Sequence, residues 1–257
     1  MGYEIIGNKE KAIAIIESSK SLKKDKQNAK EILKKSKSIK SILVKTSERK
    51  GKLRKRKYKL LAGEKNTEVT HKEYGYLIKL DPQKTYFSPR ELTERQRIAN
   101  QIKKNEKILV MFSGVAPSIV AIKKKQPSCE VFGIELNTAA HKFALQNIQL
   151  NKLSNITLIK GNVTKIVPKL KIKFNRILMP LPKTSNKFLS LALKKIKKNG
   201  VIHYYSWGTK QEFKRIREEV REIAKNSKKN IKILRTKKVL PCGPRTYKIA
   251  IDLKCLN

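Results

Sequence analysis

Residues 107–137 constrain the fold of this chain more than any other segment. They read KILVMFSGVAPSIVAIKKKQPSCEVFGIELN. The pattern predicts a buried strand over 108–111, a turn of small residues, a helix that begins near Pro117, and a second strand over 131–134. A strand, a helix and a second strand in this order form the unit from which doubly wound α/β sheets are built.

Glu135 ends the second of these strands, about 20 residues beyond the glycine of the turn. In doubly wound folds, an acidic residue at this place accepts hydrogen bonds from the ribose hydroxyls of a nucleotide-type cofactor. The turn has a single glycine, Gly114, so it lacks the G-x-G-x-x-G spacing that suits a pyrophosphate. These features favour a nucleoside cofactor without phosphate, and S-adenosylmethionine is the common one. The alternative is a plain βαβ unit whose strand happens to end in glutamate.

The charge balance of the chain is extreme. Its 257 residues include 62 Lys and Arg against 20 Asp and Glu, which gives a net charge of +42. A genome with A/T-rich codons inflates the lysine content and accounts for part of this excess. The remainder favours a polyanionic partner, because each phosphate that the protein neutralises releases counterions and adds affinity. Nucleic acid is therefore the expected partner.

Cysteine content and hydropathy exclude other classes of protein. The three cysteines, Cys129, Cys242 and Cys255, form no CxxC pair, which argues against a disulfide framework and against a zinc site, and no metal is expected. No apolar run reaches the ~18 residues that a membrane span needs. The first ten residues lack the apolar core of a signal peptide. We therefore expect a cytoplasmic protein without a membrane partner.

Two parts of the chain differ in pattern, with a predicted boundary at Asp81-Pro82. Residues 1–82 mix short apolar strands with one lysine-rich amphipathic helix, which is typical of a small α+β domain, here facing RNA. Residues 83–257 alternate strands and helices, which predicts a largely parallel sheet with helices on both faces. The final two strands are predicted to form an antiparallel hairpin at one edge. The predicted fold class is α/β, a Rossmann-like domain preceded by a small α+β domain.

Eight sequence blocks, in order and without large gaps, carry a family resemblance. They are GKLRKRKYKLLAGE (51–64), TYFSPRELTERQRIA (85–99), MFSGVAPS (111–118), GIELN (133–137), NIQLNKL (147–153), ILMPLPKT (177–184), GVIHYY (200–205) and CGPRTYKIAIDL (242–253). In these blocks the chain resembles the archaeal and eukaryotic tRNA (guanine-37-N1)-methyltransferases and their relatives in wyosine synthesis. Full-length archaeal members usually carry a further N-terminal domain that grips tRNA, and this grip is expected to be missing here.

The resemblance implies a class I methyltransferase domain and a monomeric enzyme. It also implies transfer of a methyl group from S-adenosylmethionine to N1 of guanosine 37, 3′ of the anticodon in tRNA. Relatives suggest alternatives: methylation of the wyosine intermediate imG-14 at C7, both methylations, or transfer of the cofactor's aminocarboxypropyl group. A further alternative, from a different class, is a catalytically weak RNA-binding protein that keeps the fold.

Methylation at N1 of guanine requires a base for the N1 proton and a donor for O6, where negative charge accumulates. By resemblance, Glu94 is the base and Arg54 is the O6 donor and tRNA contact. A carboxylate can accept the proton, and a guanidinium stays charged while it donates. Glu94 could instead complement the dipole of the helix that begins near it, and Arg54 could be one of several phosphate contacts.

The resemblance also implies tRNA contacts. Tyr86 is placed against the target base, where an aromatic ring replaces the stacking lost when a base leaves its stack; a buried strand tyrosine is the alternative. Arg95, Lys183 and Arg245 are the other expected tRNA contacts; for Arg245 the alternative is that it holds the final hairpin. Arg90 is expected near the methionine carboxylate of the cofactor or near the entering RNA.

The predicted cofactor site gathers residues from four segments. Beside Arg90, they are Phe112, Ser113, Gly114, Val115, Glu135, Leu136, Asn162, Val163, Pro180 and Leu181. Three positions depart from the family pattern: Val110 replaces an acid, Asn162 replaces an aspartate, and Pro180 replaces the Asn or Asp common in nitrogen methyltransferases. We expect the changes at Val110 and Asn162 to weaken cofactor binding without abolishing it, because Glu135 and the turn are retained.

Overall fold

A computed structural model describes residues 2–47, 51, 56–182 and 184–257. The chain begins with a four-stranded sheet whose order is β1-β2-β3-β4. Its elements are β1 (Tyr3–Gly7), β2 (Ala12–Ile16), α1 (Leu22–Lys35), β3 (Ile39–Lys45) and β4 (Tyr58–Gly63). Strands β2 and β3 are parallel because α1 connects them, and the Ser21 side chain caps α1 by accepting from the Lys24 N–H.

A two-stranded antiparallel hairpin follows, formed by β5 (Val69–Glu73) and β6 (Tyr76–Leu80). It leads through a short 3-10 turn (Pro89–Glu91) into helix α2 (Leu92–Ala99).

The remaining strands form one seven-stranded sheet with helices between them. The strands are β7 (Lys107–Met111), β8 (Glu130–Glu135), β9 (Ile156–Lys160), β10 (Phe174–Met179), β11 (Ile196–Gly208), β12 (Ile231–Gly243) and β13 (Thr246–Cys255), and the helices are α3 (Pro117–Lys125), α4 (Thr138–Leu150), α5 (Val163–Ile166), α6 (Asn186–Lys195) and α7 (Phe213–Asn226). The strand order is β12-β13-β11-β10-β7-β8-β9, and β13 alone runs in the direction opposite to the other six strands. The predicted Rossmann-like fold and its antiparallel edge hairpin are confirmed.

Alternate residues of β7 enter two different cores. Ile108 and Val110 pack with α2, α3, α4 and the β5–β6 hairpin, whereas Leu109 and Met111 pack with α6 and α7. This period of two places helices on both faces of the sheet. Ile6, Ile13 and Leu43 of the small sheet join the first of these cores, while the opposite face of the small sheet packs against α1. The small sheet, the hairpin and the large sheet therefore share one continuous core.

Two asparagines, one in α4 and one at its C-terminal cap, fasten the β5–β6 hairpin to the large domain. Asn147 accepts from the N–H of Lys79 at 2.6 Å and donates to its carbonyl at 2.9 Å. Asn151 makes the same pair of bonds to Leu77, at 2.9 and 2.6 Å. Each amide thus takes the place of a neighbouring strand and satisfies backbone groups that an edge strand leaves unpaired.

Several element bounds differ from the sequence prediction. The sequence over 91–103 and over 186–198 has the pattern of a helix, but the two helices end at Ala99 and at Lys195. Strand β11 begins at Ile196, because this side chain is 1% exposed and its residue pairs with Phe174 of β10. Strands β1 and β5 were not predicted. Among the described residues, no helix is both long and apolar enough to cross a membrane.

Candidate active site

The turn after β7 has an unusual backbone. Phe112, Gly114 and Ala116 have φ angles of 62°, 58° and 66°, so the chain reverses in a series of left-handed residues. The carboxylate of Glu135 holds this turn, since Oε2 accepts from the N–H of Gly114 and Oε1 from the N–H of Asn137, both at 2.7 Å. Burial raises the pKa of Glu135 above its ordinary value, although these N–H groups act in the opposite direction.

Groups at this turn fit a nucleoside cofactor. The hydroxyl of Ser113 is buried and has no hydrogen-bond partner among the described residues. A buried polar atom of this kind normally has a partner, so a ligand group is expected beside it. Leu136 is 41% exposed, and it offers an apolar surface next to the Glu135 carboxylate. Together these residues could bind the polar sugar and the flat base of a nucleoside.

Close packing behind the turn depends on Gly133 in β8. A Cβ atom at this position would lie 2.6 Å from Cδ1 of Ile119 and 2.8 Å from Cδ2 of Leu158. The glycine therefore lets α3 approach the sheet and brings the turn close to Glu135.

The other residues predicted at the cofactor site lie at strand ends. The Asn162 side chain caps α5 by accepting from the N–H of Thr164 at 3.0 Å, and Val163 is buried. Beyond β10, the hydroxyl of Ser185 donates to the carbonyl of Leu181 at 2.5 Å. This bond ties down the segment that contains Pro180, so the Leu181 carbonyl already has a partner within the protein.

The segment before α2 runs along the cofactor turn. The side chain of Asn137 donates to the carbonyl of Lys84 at 3.0 Å, and a Cβ on Gly114 would lie 4.0 Å from the carbonyl oxygen of Tyr86. The Tyr86 hydroxyl donates to Oε1 of Glu91 at 2.9 Å. Tyr86 also lines a narrow cleft between the small sheet and this segment, whose other walls include Arg56 and Tyr58. The structure therefore places Tyr86 next to the turn after β7 and in the wall of the cleft beside the small sheet.

Glu94 is buried at 6% exposure and is held by two side chains. The guanidinium of Arg97 donates from Nε to Oε2 and from a terminal nitrogen to Oε1, both at 2.8 Å. The hydroxyl of Tyr205, at the far end of β11, donates to Oε1 at 2.6 Å. Burial is the main cause that raises the pKa of Tyr205 well above its ordinary value, and the neighbouring Glu94 adds to it.

The Glu94–Arg97 pair continues into a buried ion-pair network. Arg97 also donates to both oxygens of Asp252, at 2.5 and 3.1 Å. The Oδ1 atom of Asp252 lies 2.6 Å from Nδ1 of His203, and Nε2 of His203 lies 2.7 Å from Arg176. The buried ion-pair network begins at Glu94 and ends at Glu106, whose carboxylate pairs with Arg176. Its residues are Glu94, Arg97, Asp252, His203, Arg176 and Glu106.

His203 is neutral in this arrangement. A guanidinium only donates, so Nε2 beside Arg176 must accept, and the ring proton must lie on Nδ1, where Asp252 accepts it. Burial holds the pKa of His203 below its ordinary value, in agreement with this assignment. Burial alone would raise the pKa of Asp252, but hydrogen bonds from His203 and Arg97 outweigh it and hold that pKa far below its usual range.

The arginines near the site have different surroundings. Arg95 is 5% exposed, forms an ion pair with Glu73, and donates to the carbonyl of Ser88 at 3.1 Å. Arg90 is exposed and donates to the carbonyl of Pro241 at 3.1 Å, which joins the start of α2 to the β12–β13 turn. Arg245 is exposed on that same turn. Arg90 and Arg245 are therefore available to a ligand, whereas the guanidinium of Arg95 is occupied within the protein.

Two predicted residues, Arg54 and Lys183, lie outside the described residues. Three others were not predicted to belong to the site: Arg97 and Tyr205, which donate to Glu94, and Asp252, which pairs with Arg97. All three fall within the blocks TYFSPRELTERQRIA, GVIHYY and CGPRTYKIAIDL, so membership of these blocks was the available signal.

Comparison with known proteins gives matches along the whole chain. A family model described as the TRM5/TYW2 methyltransferase domain matches residues 69–234, and one described as the TYW2 N-terminal domain matches residues 1–67. The tRNA (guanine(37)-N(1))-methyltransferase Trm5b of Pyrococcus abyssi is 37% identical over 98% of this chain and 74% of that protein. Its crystal structure superposes with a TM-score of 0.88 at 36% identity and covers 100% of this chain and 76% of its own.

Two further relatives widen the comparison. Taw22 of Nanoarchaeum equitans, described as a tRNA (guanine(37)-N(1))/4-demethylwyosine(37)-methyltransferase, is 34% identical over 98% of this chain and 99% of that protein. A structure described as the complex of aTrm5 and tRNALeu has a TM-score of 0.84 at 33% identity and covers 100% of this chain and 72% of its own. The chain belongs to the TRM5/TYW2 methyltransferase family.

Proposed function

We propose that this protein transfers the methyl group of S-adenosylmethionine to N1 of guanosine 37 in tRNA. The observation that supports this most is the buried Glu94 carboxylate on α2, the helix that follows the Tyr86 segment. Arg97 and Tyr205 both donate hydrogen bonds to this carboxylate. A carboxylate in this setting can accept the N1 proton, which guanine must lose before the nitrogen can attack. The similarity to Trm5b over nearly the whole chain supports the same reaction.

The cofactor is S-adenosylmethionine, and its site has the residues to hold it. Glu135 would accept hydrogen bonds from the ribose hydroxyls, Leu136 and Val163 would contact the adenine, and Ser113 would pair with a polar group of the ligand. When bound, the cofactor supplies a methyl group made electrophilic by its sulfonium. Asn162 keeps hydrogen-bonding capacity without charge, and Phe112, Val115, Pro180 and Leu181 shape the remaining wall.

Three residues of this chain have different roles at the target guanine. Glu94 accepts the N1 proton, and Tyr86 stacks on the guanine after this base has left its stack in the anticodon loop. Arg54 is proposed to donate to O6; it lies outside the described residues, but Arg56, two residues further along, lines the cleft beside Tyr86. The negative charge that develops on O6 is then stabilised by a group that cannot lose its own charge.

The RNA is held mainly through its phosphates. The net charge of +42 favours binding of a polyanion. The exposed Arg90 donates to Pro241 near the end of β12, and the exposed Arg245 follows β12 in the turn to β13. We propose these two residues, with Lys183, as tRNA contacts. For Arg95 we favour a structural role, because its ion pair with Glu73 joins α2 to the hairpin.

Residues 1–82 and 83–257 remain our proposed division into an RNA-facing and a catalytic domain. The hydrogen bonds from Asn147 and Asn151 to the β5–β6 hairpin favour a domain boundary somewhat earlier, before Val69. We further propose that the protein acts as a monomer on the anticodon loop, which size-exclusion chromatography with light scattering can test.

A second candidate function is methylation of the wyosine intermediate imG-14 at C7. Two observations favour it: Pro180 replaces the Asn or Asp common in nitrogen methyltransferases, and Taw22 carries both activities in its name. The proposed cofactor and binding cleft are the same for both reactions.

Nucleoside analysis by mass spectrometry separates these functions. Anticodon-arm RNA with guanosine at position 37 is incubated with the protein and S-adenosylmethionine, in parallel with the same RNA carrying adenosine at 37 or imG-14. We expect 1-methylguanosine from the first RNA and no methylated product from the adenosine control. Methylation of imG-14 alone would favour the second function, and no product with any RNA would contradict both.

A further inference from the structure

The groups that hold Glu94 come from three separate parts of the chain. Arg97 belongs to α2, Tyr205 to β11, and Asp252, behind Arg97, to β13. Oε1 of Glu94 accepts two hydrogen bonds and Oε2 accepts one, so Oε2 has more capacity left to accept a proton. Donors on two sides fix the plane of the carboxylate, which a single ion pair on a helix surface does not achieve.

Each of the two donors, Arg97 and Tyr205, is itself fixed by a further side chain. The guanidinium of Arg97 is shared with Asp252, so its plane cannot turn without breaking bonds to two carboxylates. The ring of Tyr205 lies 4.6 Å from the ammonium of Lys248, and that ammonium donates to Glu91 at 2.8 Å. Glu91 also accepts from Tyr86, so the proposed stacking residue and the support of Glu94 are joined through Lys248.

Neither donor can relay the proton that Glu94 accepts. Burial would lower the pKa of Arg97, but its bonds to Glu94 and Asp252 prevail and raise it, so this side chain stays charged. Burial and Glu94 raise the pKa of Tyr205, so its hydroxyl stays protonated and donates. The two side chains therefore stabilise and orient the carboxylate, and the proton remains on Glu94.

We propose that Tyr205 and Arg97 are positioning residues, which hold the Glu94 carboxylate in the orientation that receives the N1 proton of guanosine. The inference rests on the proposed function, in which Glu94 is the base. In the step concerned, the proton passes from N1 to a carboxylate oxygen, and the electron pair of the N–H bond stays on the ring.

The test compares Tyr205→Phe with Tyr204→Phe. The first change removes one hydroxyl and keeps the aromatic ring beside Lys248. The second removes a hydroxyl from an equally buried neighbour, whose side chain belongs to the core formed with α6 and α7. We expect Tyr205→Phe to lower the single-turnover methylation rate about ten- to hundredfold, since it removes a hydrogen bond to a charged group. The dissociation constant for RNA should stay unchanged. Tyr204→Phe should keep the wild-type rate.

A double-mutant cycle distinguishes positioning from general structural support. If Tyr205 acts through Glu94, then Tyr205→Phe should have little further effect in a Glu94→Gln background. An equal slowing in both backgrounds would overturn the proposal. Arg97→Lys, which keeps the charge and loses the two-pronged contact, should follow the same pattern.

A measurement without catalysis keeps the two proposals separate. In protein labelled at glutamate carboxyl carbons, the Glu94 resonance is assigned by its loss in Glu94→Gln. It should move in Tyr205→Phe and stay in place in Tyr204→Phe, whether or not any RNA is methylated. An unmoved resonance would refute the positioning role, whereas a moved resonance without methylated product would refute only the proposed reaction.

Discussion

The side-chain amide of Asn147 donates to the carbonyl oxygen of Val115 at 2.9 Å, while the same side chain clasps Lys79 of the β5–β6 hairpin. One asparagine thus connects the turn at the proposed cofactor site to the hairpin. Asn147 is completely buried and so is its bond to Val115, so that carbonyl cannot turn to water instead.

Asn147→Ala should lower the free energy of unfolding by about 2–3 kcal/mol, because it leaves buried backbone groups unpaired. Urea denaturation followed by circular dichroism measures this change. Gln146→Ala, one residue earlier on the exposed face of α4, is the matched control and should cost less than about 0.5 kcal/mol. Equal losses for the two variants would contradict the clasp.

Glu135→Gln should weaken S-adenosylmethionine binding about tenfold or more, because an amide offers one acceptor oxygen where the carboxylate offers two charged ones. Isothermal titration calorimetry gives the dissociation constant directly. Glu130→Gln, at the other end of β8 and paired with Lys107, provides the control and should bind the cofactor normally. Unchanged affinity in Glu135→Gln would remove the ribose contact from the proposed site.

Glu94→Gln should reduce the single-turnover rate by at least about a hundredfold, the usual contribution of a general base. RNA affinity should change little, since the carboxylate is buried and its role begins only as the proton leaves N1. Rapid quenching gives the rate and filter binding gives the affinity. Parallel losses in rate and affinity would assign Glu94 to RNA binding instead of catalysis.

His203 should make folding stability depend on pH in the mildly acidic range. Its pKa is lowered in the folded protein, so below about pH 6.5 the unfolded chain binds a proton that the folded chain does not. Stability is therefore retained above that pH and lost as the pH falls. Between pH 6.5 and 5.5, the wild type should lose about 1 kcal/mol more than His203→Gln. Identical pH slopes in urea denaturation would show that His203 is charged in the fold.

RNA affinity should fall steeply with salt. A protein that contacts several phosphates loses a decade or more of affinity over a few-fold rise in salt, because the counterions released on binding gain less entropy when the surrounding salt is already concentrated. Fluorescence anisotropy with anticodon-arm RNA between low and moderate potassium chloride measures the slope. Arg245→Gln should reduce the slope by about one unit, and a flat response in the wild type would refute phosphate-driven binding.

Local sequence patterns were sufficient to predict most of the large sheet. The alternation in β7 and the small-residue turn before Pro117 depend on neighbouring residues only, so periodicity reveals them. The strand at Ile196 was missed because lysines surround it, and its strand geometry depends on pairing with Phe174.

The contacts around Glu94 could not be predicted in the same way. Arg97 and Asp252 are 155 positions apart, and no local pattern indicates that they meet. The surroundings of Arg95 were equally hidden, since the family resemblance suggests a tRNA contact while its partner Glu73 lies on a strand that the sequence did not predict. Long-range ion pairs of this kind depend on the folded topology.

The buried ion-pair network contains three carboxylates, two guanidiniums and a neutral imidazole. In a protein with an overwhelming excess of cations, this network thus has one more anion than cations, and it contains the residue proposed to remove a proton from RNA. When that proton arrives, positive and negative groups there become equal in number. The network is therefore electrically neutral after the reaction and negatively charged before it, and each catalytic cycle must restore that charge by releasing the proton to water.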